Sequence, residues 1–202
     1  TAGGTIGTGA GIQLFLKPRG RSQASLLAGT EGARSPFFSP DGQWLAAAGD
    51  DNQVLLWSVT EIKDATASPK PIALIGHTAK VIHLTFNADS TRLASSSWDR
   101  RVGLWDVPNR QSIRFFQGHQ GPVNAAEFHP TQPRLYSAGG DGHIRLWNLD
   151  TGEYVRSIIK NGFGINVMAL SAELNVLAYG GSNGVMKSVS LDESGPAIDL
   201  WV

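Results

Sequence analysis

The sequence predicts an all-β fold built from repeated units. Three segments end alike, with β-prone residues before a tryptophan, and these tryptophans, Trp57, Trp105 and Trp147, lie 48 and 42 residues apart. The 24 glycines and 10 prolines indicate many turns, and no stretch of ten or more residues keeps a helical periodicity free of both. Residues 61–67 form at most a short helical turn.

Each unit shows the signals of four short strands. In the unit that contains Trp147, strands are predicted at 123–128, 135–138, 144–147 and 154–158. Turn signals separate them, including Gly-Gly-Asp-Gly at 139–142. A single four-stranded sheet of this length cannot bury both of its faces. Units stacked around an axis can bury them, so the sequence predicts a β-propeller.

Two further features keep the register of the tryptophans. An aspartate lies six residues before each of them, at Asp51, Asp99 and Asp141. The glycine of a Gly-His pair lies 23 residues before two of these aspartates, at 76–77 and at 118–119. Independent features that share one register indicate a repeated structure rather than a chance similarity.

The repeat divides the chain into five units, of which the three in the middle are clear. The segment 183–189 keeps the glycine and the alternation but lacks the aspartate and the tryptophan. About six extra loop residues between 60 and 71 explain the longer spacing. The predicted units are the outer strands of a degenerate N-terminal blade at 1–27, three blades at 28–69, 70–117 and 118–159, and a degenerate last blade at 160–202.

These residues resemble the WD40-repeat family. The Gly-His pairs, the aspartate six residues before the tryptophan, and Leu-Trp-Asp at 104–106 are the family's signature. The resemblance implies blades of four antiparallel strands, usually seven of them, that form a rigid platform for protein partners. Seven units of ~42 residues need roughly 290 residues, and this chain supplies about 4.8 units. We therefore expect an incomplete ring that is part of a larger propeller or is closed by self-association.

The resemblance also implies that a Ser/His/Asp set, which occurs twice, is structural. In the family these residues and the tryptophan form a hydrogen-bonded tetrad. The two sets here are His77, Ser95, Asp99 and Trp105, and His119, Ser137, Asp141 and Trp147. An alternative interpretation is a hydrolase site made of the serine, histidine and aspartate. A catalytic site occurs once, however, whereas these sets recur at one register, which favours the structural tetrad.

The neighbouring units carry incomplete sets. The unit before them offers only Asp51 and Trp57, with Gly29 and Ala47 at the other two positions. The unit 160–202 offers Asn161, Tyr179, Asn183 and Val189. We therefore expect the last unit to be the least rigid.

Trp98 is the leading candidate for a contact with a partner. It directly precedes Asp99, and the family geometry places that position on the narrow top face beside the central channel. An exposed tryptophan with neighbouring arginines is a frequent hot-spot composition. The alternative is that Trp98 packs on an adjacent top loop. By the same analogy, further residues ring this face: Arg34, Lys80, Ile82, Asn124 and Asn166.

Composition and motifs argue against several function classes. The 17 basic and 17 acidic residues balance, so no nucleic-acid partner is expected, and Arg100-Arg101 is interpreted as solvated surface. There is no cysteine and the remaining histidines are scattered, so no metal ion is expected. The glycines of 3–11 lack a phosphate-loop pattern, so no cofactor is expected. No apolar run approaches about 18 residues, so we expect no membrane span and no membrane partner. The chain has no cysteine and no Asn-x-Ser/Thr site, from which we expect a cytoplasmic location.

The sequence therefore predicts a non-enzymatic propeller that binds a protein or peptide through its top face. The alternative is the sensor or regulatory region of a larger multidomain protein, such as a prokaryotic signalling protein, whose activity lies outside this chain. The absence of an initiator methionine before Thr1 motivates that alternative.

Overall fold

A computed structural model describes residues 11–15, 23–27, 33–49, 51–63, 69–160, 162–191 and 198–201. These residues form eighteen strands and one short helix. A hairpin of β1 (Gly11–Phe15) and β2 (Gln23–Leu27) comes first. Four four-stranded sheets follow, and within each sheet every strand pairs antiparallel with the next strand in the chain.

We number these sheets as blades 1 to 4. Blade 1 contains β3 (Ala33–Phe38), β4 (Trp44–Gly49), β5 (Val54–Ser58) and β6 (Ile72–Leu74), with the helix α1 (Val59–Lys63) between β5 and β6. Blade 2 contains β7 (Val81–Phe86), β8 (Arg92–Ser97), β9 (Arg101–Asp106) and β10 (Gln111–Gln117). Blade 3 contains β11 (Val123–Phe128), β12 (Arg134–Gly139), β13 (His143–Asn148) and β14 (Tyr154–Lys160). Blade 4 contains β15 (Ile165–Ser171), β16 (Val176–Gly181), β17 (Met186–Ser190) and β18 (Ile198–Trp201).

The first strand of each blade lies beside the first strand of the next. Strand β7 contacts β3 and β4, β11 contacts β7 and β8, and β15 contacts β11 and β12. The blades therefore fan out from a shared axis, which confirms the predicted all-β propeller. Over the described residues the four blades form an arc that does not close into a ring.

Two details differ from the sequence-based expectations. The helix α1 begins at Val59, two residues before the predicted helical turn at 61–67, of which residues 64–67 lie outside the described part of the chain. Strand β6 pairs with β5, so blade 1 extends to Leu74 rather than ending at the predicted boundary after residue 69. The physical reason is the insertion that contains α1. It lies between β5 and β6 and delays the outer strand.

Apolar side chains from facing blades form the core. Between blades 1 and 2, Leu56 packs in one buried cluster with Trp105. Between blades 2 and 3, Leu104 and Trp147 share the next cluster. Because a buried indole removes about 150–250 Å² from water, these contacts dominate the packing between blades. Each blade is therefore stabilised mainly by its neighbours.

The far face of blade 4 is uncovered by any described residue. On blade 3, Ala138 and Ile144 lie fully buried against blade 4. One repeat later, the same positions of blade 4 hold Gly180 and Met186. Met186 is 43% exposed, and its neighbour Val167 is 57% exposed. Blade 4 thus presents a small apolar face of the kind that another blade covers elsewhere in the molecule.

Candidate functional site

Four side chains of blade 2 form one chain of hydrogen bonds. The Trp105 indole N–H donates to Ser95 Oγ at 2.7 Å. Ser95 Oγ lies 2.7 Å from His77 Nε2, and His77 Nδ1 lies 2.8 Å from Asp99 Oδ2. Because Asp99 is an acceptor, the His77 proton belongs on Nδ1, and Nε2 accepts from the Ser95 hydroxyl. Every buried polar atom along this chain is satisfied.

Local strand geometry brings the four residues together. Ser95 on β8 lies opposite Gly103 on β9, and Trp105 follows two positions later on the same face. Asp99 occupies the β8–β9 turn, and His77 lies in the connection between β6 and β7. The chain of hydrogen bonds therefore ties two top connections to the middle of the blade.

Asp99 is held by more donors than the tetrad alone provides. The Thr78 backbone N–H donates to Oδ2 at 3.0 Å, and the Arg101 guanidinium donates to the same oxygen at 2.8 Å. Burial by itself would raise the pKa of Asp99, but the hydrogen bonds from His77 and Arg101 outweigh it and hold that pKa well below its usual range. Arg101 also donates to the Gly76 carbonyl at 2.8 Å. The interpretation of Arg101 as solvated surface was wrong.

Blade 3 repeats the same arrangement. Trp147 donates to Ser137 Oγ at 2.8 Å, Ser137 Oγ lies 2.8 Å from His119 Nε2, and His119 Nδ1 lies 2.9 Å from Asp141. Here Arg145 supplies the guanidinium, at 2.7 Å from Asp141 Oδ2. Burial lowers the pKa of His119, although Asp141 opposes that shift. Sequence reasoning missed both arginines, which come two and four residues after their aspartates.

Blades 1 and 4 carry no such chain among the described residues. Trp57 is buried, but its indole N–H finds no hydrogen-bond partner in the described part of the chain. Asp51 accepts from the Gln53 N–H at 3.4 Å. In blade 4, Tyr179 and Val189 are buried in the apolar cluster that faces blade 3. The predicted positions Gly29 and Asn161 lie outside the described residues.

Trp98 lies at the tip of the β8–β9 turn and is 51% exposed. Its backbone N–H donates to the Lys80 carbonyl at 3.0 Å. The corresponding turns of blades 3 and 4 make the same bond, from Gly140 to Pro122 and from Ser182 to Gly164. The backbone at Trp98 is therefore fixed by a repeated contact, while its side chain reaches solvent.

The other candidates for partner contact differ in their surroundings. Ile82, Asn124 and Asn166 each sit at an irregularity in the first strand of their blade, where a bulge turns the side chain out of the regular pairing. Asn166 and Arg34 are exposed, whereas Lys80 and Ile82 are half-buried. The Asn124 amide donates to the Ile165 carbonyl at 2.8 Å. Asn124 thus ties blade 3 to blade 4, a role that the sequence did not indicate.

Two structural features of the described residues bear on membrane and metal binding. No helix in this part of the chain is long and apolar enough to cross a membrane. Over the same ranges, no three histidine, aspartate or glutamate side chains gather as a metal site would require.

The family model of the WD domain, G-beta repeat, matches the chain at residues 26–58, 69–106 and 110–148. The chain belongs to the WD40 repeat family. The third match and the tetrad of blade 3 end at the same strand, β13, and the second match ends with β9 of blade 2. The family model and the hydrogen-bond pattern therefore identify the same repeated unit.

Curated WD40 relatives are similar over part of their length. A transcriptional corepressor, LEUNIG_HOMOLOG of Arabidopsis thaliana, is 35% identical over 46% of this chain and 11% of its own length. The DDB1- and CUL4-associated factor 5 of Homo sapiens is 34% identical over 46% of this chain and 10% of its own. A guanine nucleotide-binding protein beta-subunit-like protein of Encephalitozoon cuniculi is 25% identical over 76% of this chain. The match spans about half of that last protein, at 52%, and less of the other two.

Proposed function

We propose that this WD40 chain is a non-enzymatic scaffold that binds a protein or peptide partner through its top face, with Trp98 as the central contact. The observation that carries the proposal is a half-exposed indole on a turn whose backbone is fixed. Tryptophan is among the residues that most often dominate binding energy at protein interfaces.

The rigidity beneath Trp98 supports a binding role. Asp99, the next residue, receives hydrogen bonds from His77, Thr78 and Arg101. A contact residue on such a turn loses little conformational freedom when a partner binds, because its backbone is already ordered. The tetrad thus acts on binding indirectly, by holding the turn that presents the indole.

The burial of the Ser/His/Asp sets supports binding over hydrolysis. Ser95 and Ser137 have no exposed surface, and their oxygens already accept from tryptophan indoles. A nucleophile needs access to its substrate and an oxyanion site beside it. The same geometry in two blades fits a repeated structural element.

A second candidate role is favoured by the lengths of the relatives. The matched region corresponds to 11% of the corepressor and 10% of the DDB1- and CUL4-associated factor. In proteins of that length the blades are one region among others, so this chain serves as the sensor or regulatory region of a longer protein in this second role. By their names, a corepressor and an associated factor both act together with other proteins, which supports a protein partner in either role.

The test compares Trp98→Ala with Tyr154→Ala. Both side chains are 51% exposed, but Tyr154 lies on the outer strand β14. Proteins that bind the wild-type chain are isolated from the source cells, purified, and titrated against each variant by calorimetry. We expect Trp98→Ala to weaken binding by about 2 kcal/mol, roughly 30-fold, and Tyr154→Ala to leave it unchanged. Equal affinity of the wild type and Trp98→Ala for every purified partner would overturn the proposal.

A further inference from the structure

The face opposite the tetrads contains a cleft between blades 2 and 3. Its volume is about 300 Å³. The β7–β8 turn (87–91) forms one wall and the β11–β12 turn (129–133) forms the other. The side chains of Phe128 and Leu149, both largely buried, also line it. This volume is at the lower end of the range for ligand sites and suits one or two side chains.

A hydrogen bond bridges the equivalent junction between blades 1 and 2. There, the Asp41 backbone N–H donates to Ser90 Oγ at 3.1 Å, so the two turns are joined directly. One repeat later, the same two positions hold Asp89 and Gln132. Between the turns 87–91 and 129–133, no hydrogen bond is recorded in this part of the described chain. This junction therefore differs from the preceding one, where a hydrogen bond joins the two turns.

The walls of the cleft are rigid before any ligand binds. In the first turn, Asn87 Oδ1 accepts from the Arg92 N–H at 2.8 Å and Asp89 Oδ1 accepts from the Thr91 N–H at 2.9 Å. In the second turn, the Pro133 carbonyl accepts from the Leu149 N–H at 2.8 Å. Two prolines, at 130 and 133, restrict that turn further. A ligand therefore meets a preformed site.

The chemistry of the lining is mixed. His129 Nδ1 accepts from the N–H groups of Thr131 and Gln132, both at 3.2 Å, so its proton is on Nε2 and the ring can act as a donor. Arg92 supplies further donors and Asp89 supplies an acceptor, and both line the cleft. The carboxylates of Asp89 and Asp106 lie close enough to Arg92 to interact with it electrostatically. The cleft thus has no excess of positive charge for a phosphate group.

We propose that this cleft binds an extended peptide segment of a partner protein, with one apolar side chain placed against Phe128 and Leu149. An extended peptide alternates N–H donors and carbonyl acceptors, which matches walls that carry both. The apolar surface of Phe128 and Leu149 offers room for one small or medium side chain of the peptide. The cleft is separate from the top face, so this proposal can be tested independently of the proposed role of Trp98.

The test uses Thr131→Trp to fill the cleft and Glu173→Trp as its matched control. Thr131 is exposed on the β11–β12 turn, and Glu173 is exposed at the same position of the β15–β16 turn, away from the cleft. The probe is a phage-displayed library of random linear peptides selected on the wild-type chain. We expect a group of peptides whose affinity falls at least about tenfold for Thr131→Trp and is unchanged for Glu173→Trp and Trp98→Ala.

A second variant covers the case in which Thr131→Trp perturbs the fold. His129→Asn keeps a side-chain acceptor for the turn, as Asn87 does in blade 2, but removes the Nε2–H donor. Its melting temperature should match the wild type, and the same peptides should bind about threefold more weakly. The proposal is overturned when no peptide is enriched, or when the enriched peptides bind all folded variants equally.

Discussion

Blades 1 and 2 bury a tryptophan at the same point of the sheet but treat its indole N–H differently. Trp57 lies opposite Leu45, and Trp105 lies opposite Leu93, and each indole is 1% exposed. Trp105 donates to Ser95. In blade 1 the serine position holds Ala47, and the Trp57 N–H finds no acceptor among the described residues.

The difference shows that burial of the tryptophan does not depend on the tetrad. Trp57 packs in an apolar cluster with Leu55 and with Ile62 of α1. Within the described part of the chain the Trp57 N–H has no acceptor, which costs about 1–3 kcal/mol, and this packing offsets that cost. What the tetrad adds in blade 2 is the attachment of two top connections, one of which carries Trp98.

Asp99→Ala should give the largest loss among single polar substitutions in the top half of blade 2. The change leaves the buried His77 Nδ1–H without its acceptor and, among the described residues, removes one of the two acceptors of the Arg101 guanidinium. We expect a loss of about 3 kcal/mol in the free energy of unfolding, measured by urea denaturation.

The matched control is Asp51→Ala, which occupies the same position in blade 1. Among the described residues, its side chain accepts one long hydrogen bond, from the Gln53 N–H at 3.4 Å. We expect a loss below about 1 kcal/mol. If the two aspartates cost the same, the contrast between the blades does not arise from the tetrad.

Ser95→Ala gives blade 2 the residue that blade 1 has at the same position, where Ala47 stands. It leaves the Trp105 N–H and His77 Nε2 without partners, and we expect a loss of about 2 kcal/mol in urea denaturation. The effect should not add to that of Asp99→Ala, because both residues belong to one hydrogen-bonded chain. Strict additivity in the double variant would show that the two halves of the tetrad act separately.

The carboxylates of Asp99 and Glu127 are both partly buried but differ in their hydrogen-bond donors. Asp99 keeps its charge under burial because several donors surround it. Within the described part of the chain, Glu127 accepts one side-chain hydrogen bond, from Thr85 Oγ1 at 3.2 Å. Burial raises the pKa of Glu127 to about 7, and the Thr85 bond opposes the shift only in part. The folded state therefore binds the proton more tightly than the unfolded state. This contribution to stability is complete below about pH 4.5 and is lost as the pH rises through about 7.

Glu127→Gln should remove that dependence on pH. At pH 8 we expect the variant to be more stable than the wild type by up to about 3 kcal/mol, with the advantage disappearing near pH 4. Urea denaturation across this range gives the difference directly and cancels the titration of the histidines, which both proteins share. A constant difference between the two proteins would show that Glu127 titrates alike in the folded and unfolded states.

The sequence predicted the parts of the fold that depend on local repetition. The shared register of Trp105 and Trp147 was enough for the propeller, and the resemblance to the WD40 family added the grouping of the tetrad residues. It could not place β6, because the insertion with α1 breaks the period, and it could not find Arg101 and Arg145, which reach their aspartates from different positions of the repeat. A long, flexible arginine side chain can reach the same aspartate from more than one position of the repeat. The spacing of residues along the sequence therefore does not show which arginine will bind it.

The most direct test of the comparison between blades 1 and 2 is a gain of stability from Ala47→Ser. Ala47 lies opposite Leu55 just as Ser95 lies opposite Gly103, so the new hydroxyl comes within reach of the Trp57 indole. Satisfying that N–H should stabilise the protein by about 1 kcal/mol in urea denaturation.

The matched control for this gain is Ala46→Ser, on the opposite face of the same strand. Ala46 is equally buried, in the cluster with Leu56, and Trp57 belongs to the cluster on the other face. A hydroxyl there loses its hydration, and we expect a loss of about 1–2 kcal/mol. The two faces of β4 are then distinguished by the sign of the change in the free energy of unfolding, a gain for Ala47→Ser and a loss for Ala46→Ser. If both serines destabilise alike, the indole of Trp57 already has a partner, and blade 1 is satisfied by other means than blade 2.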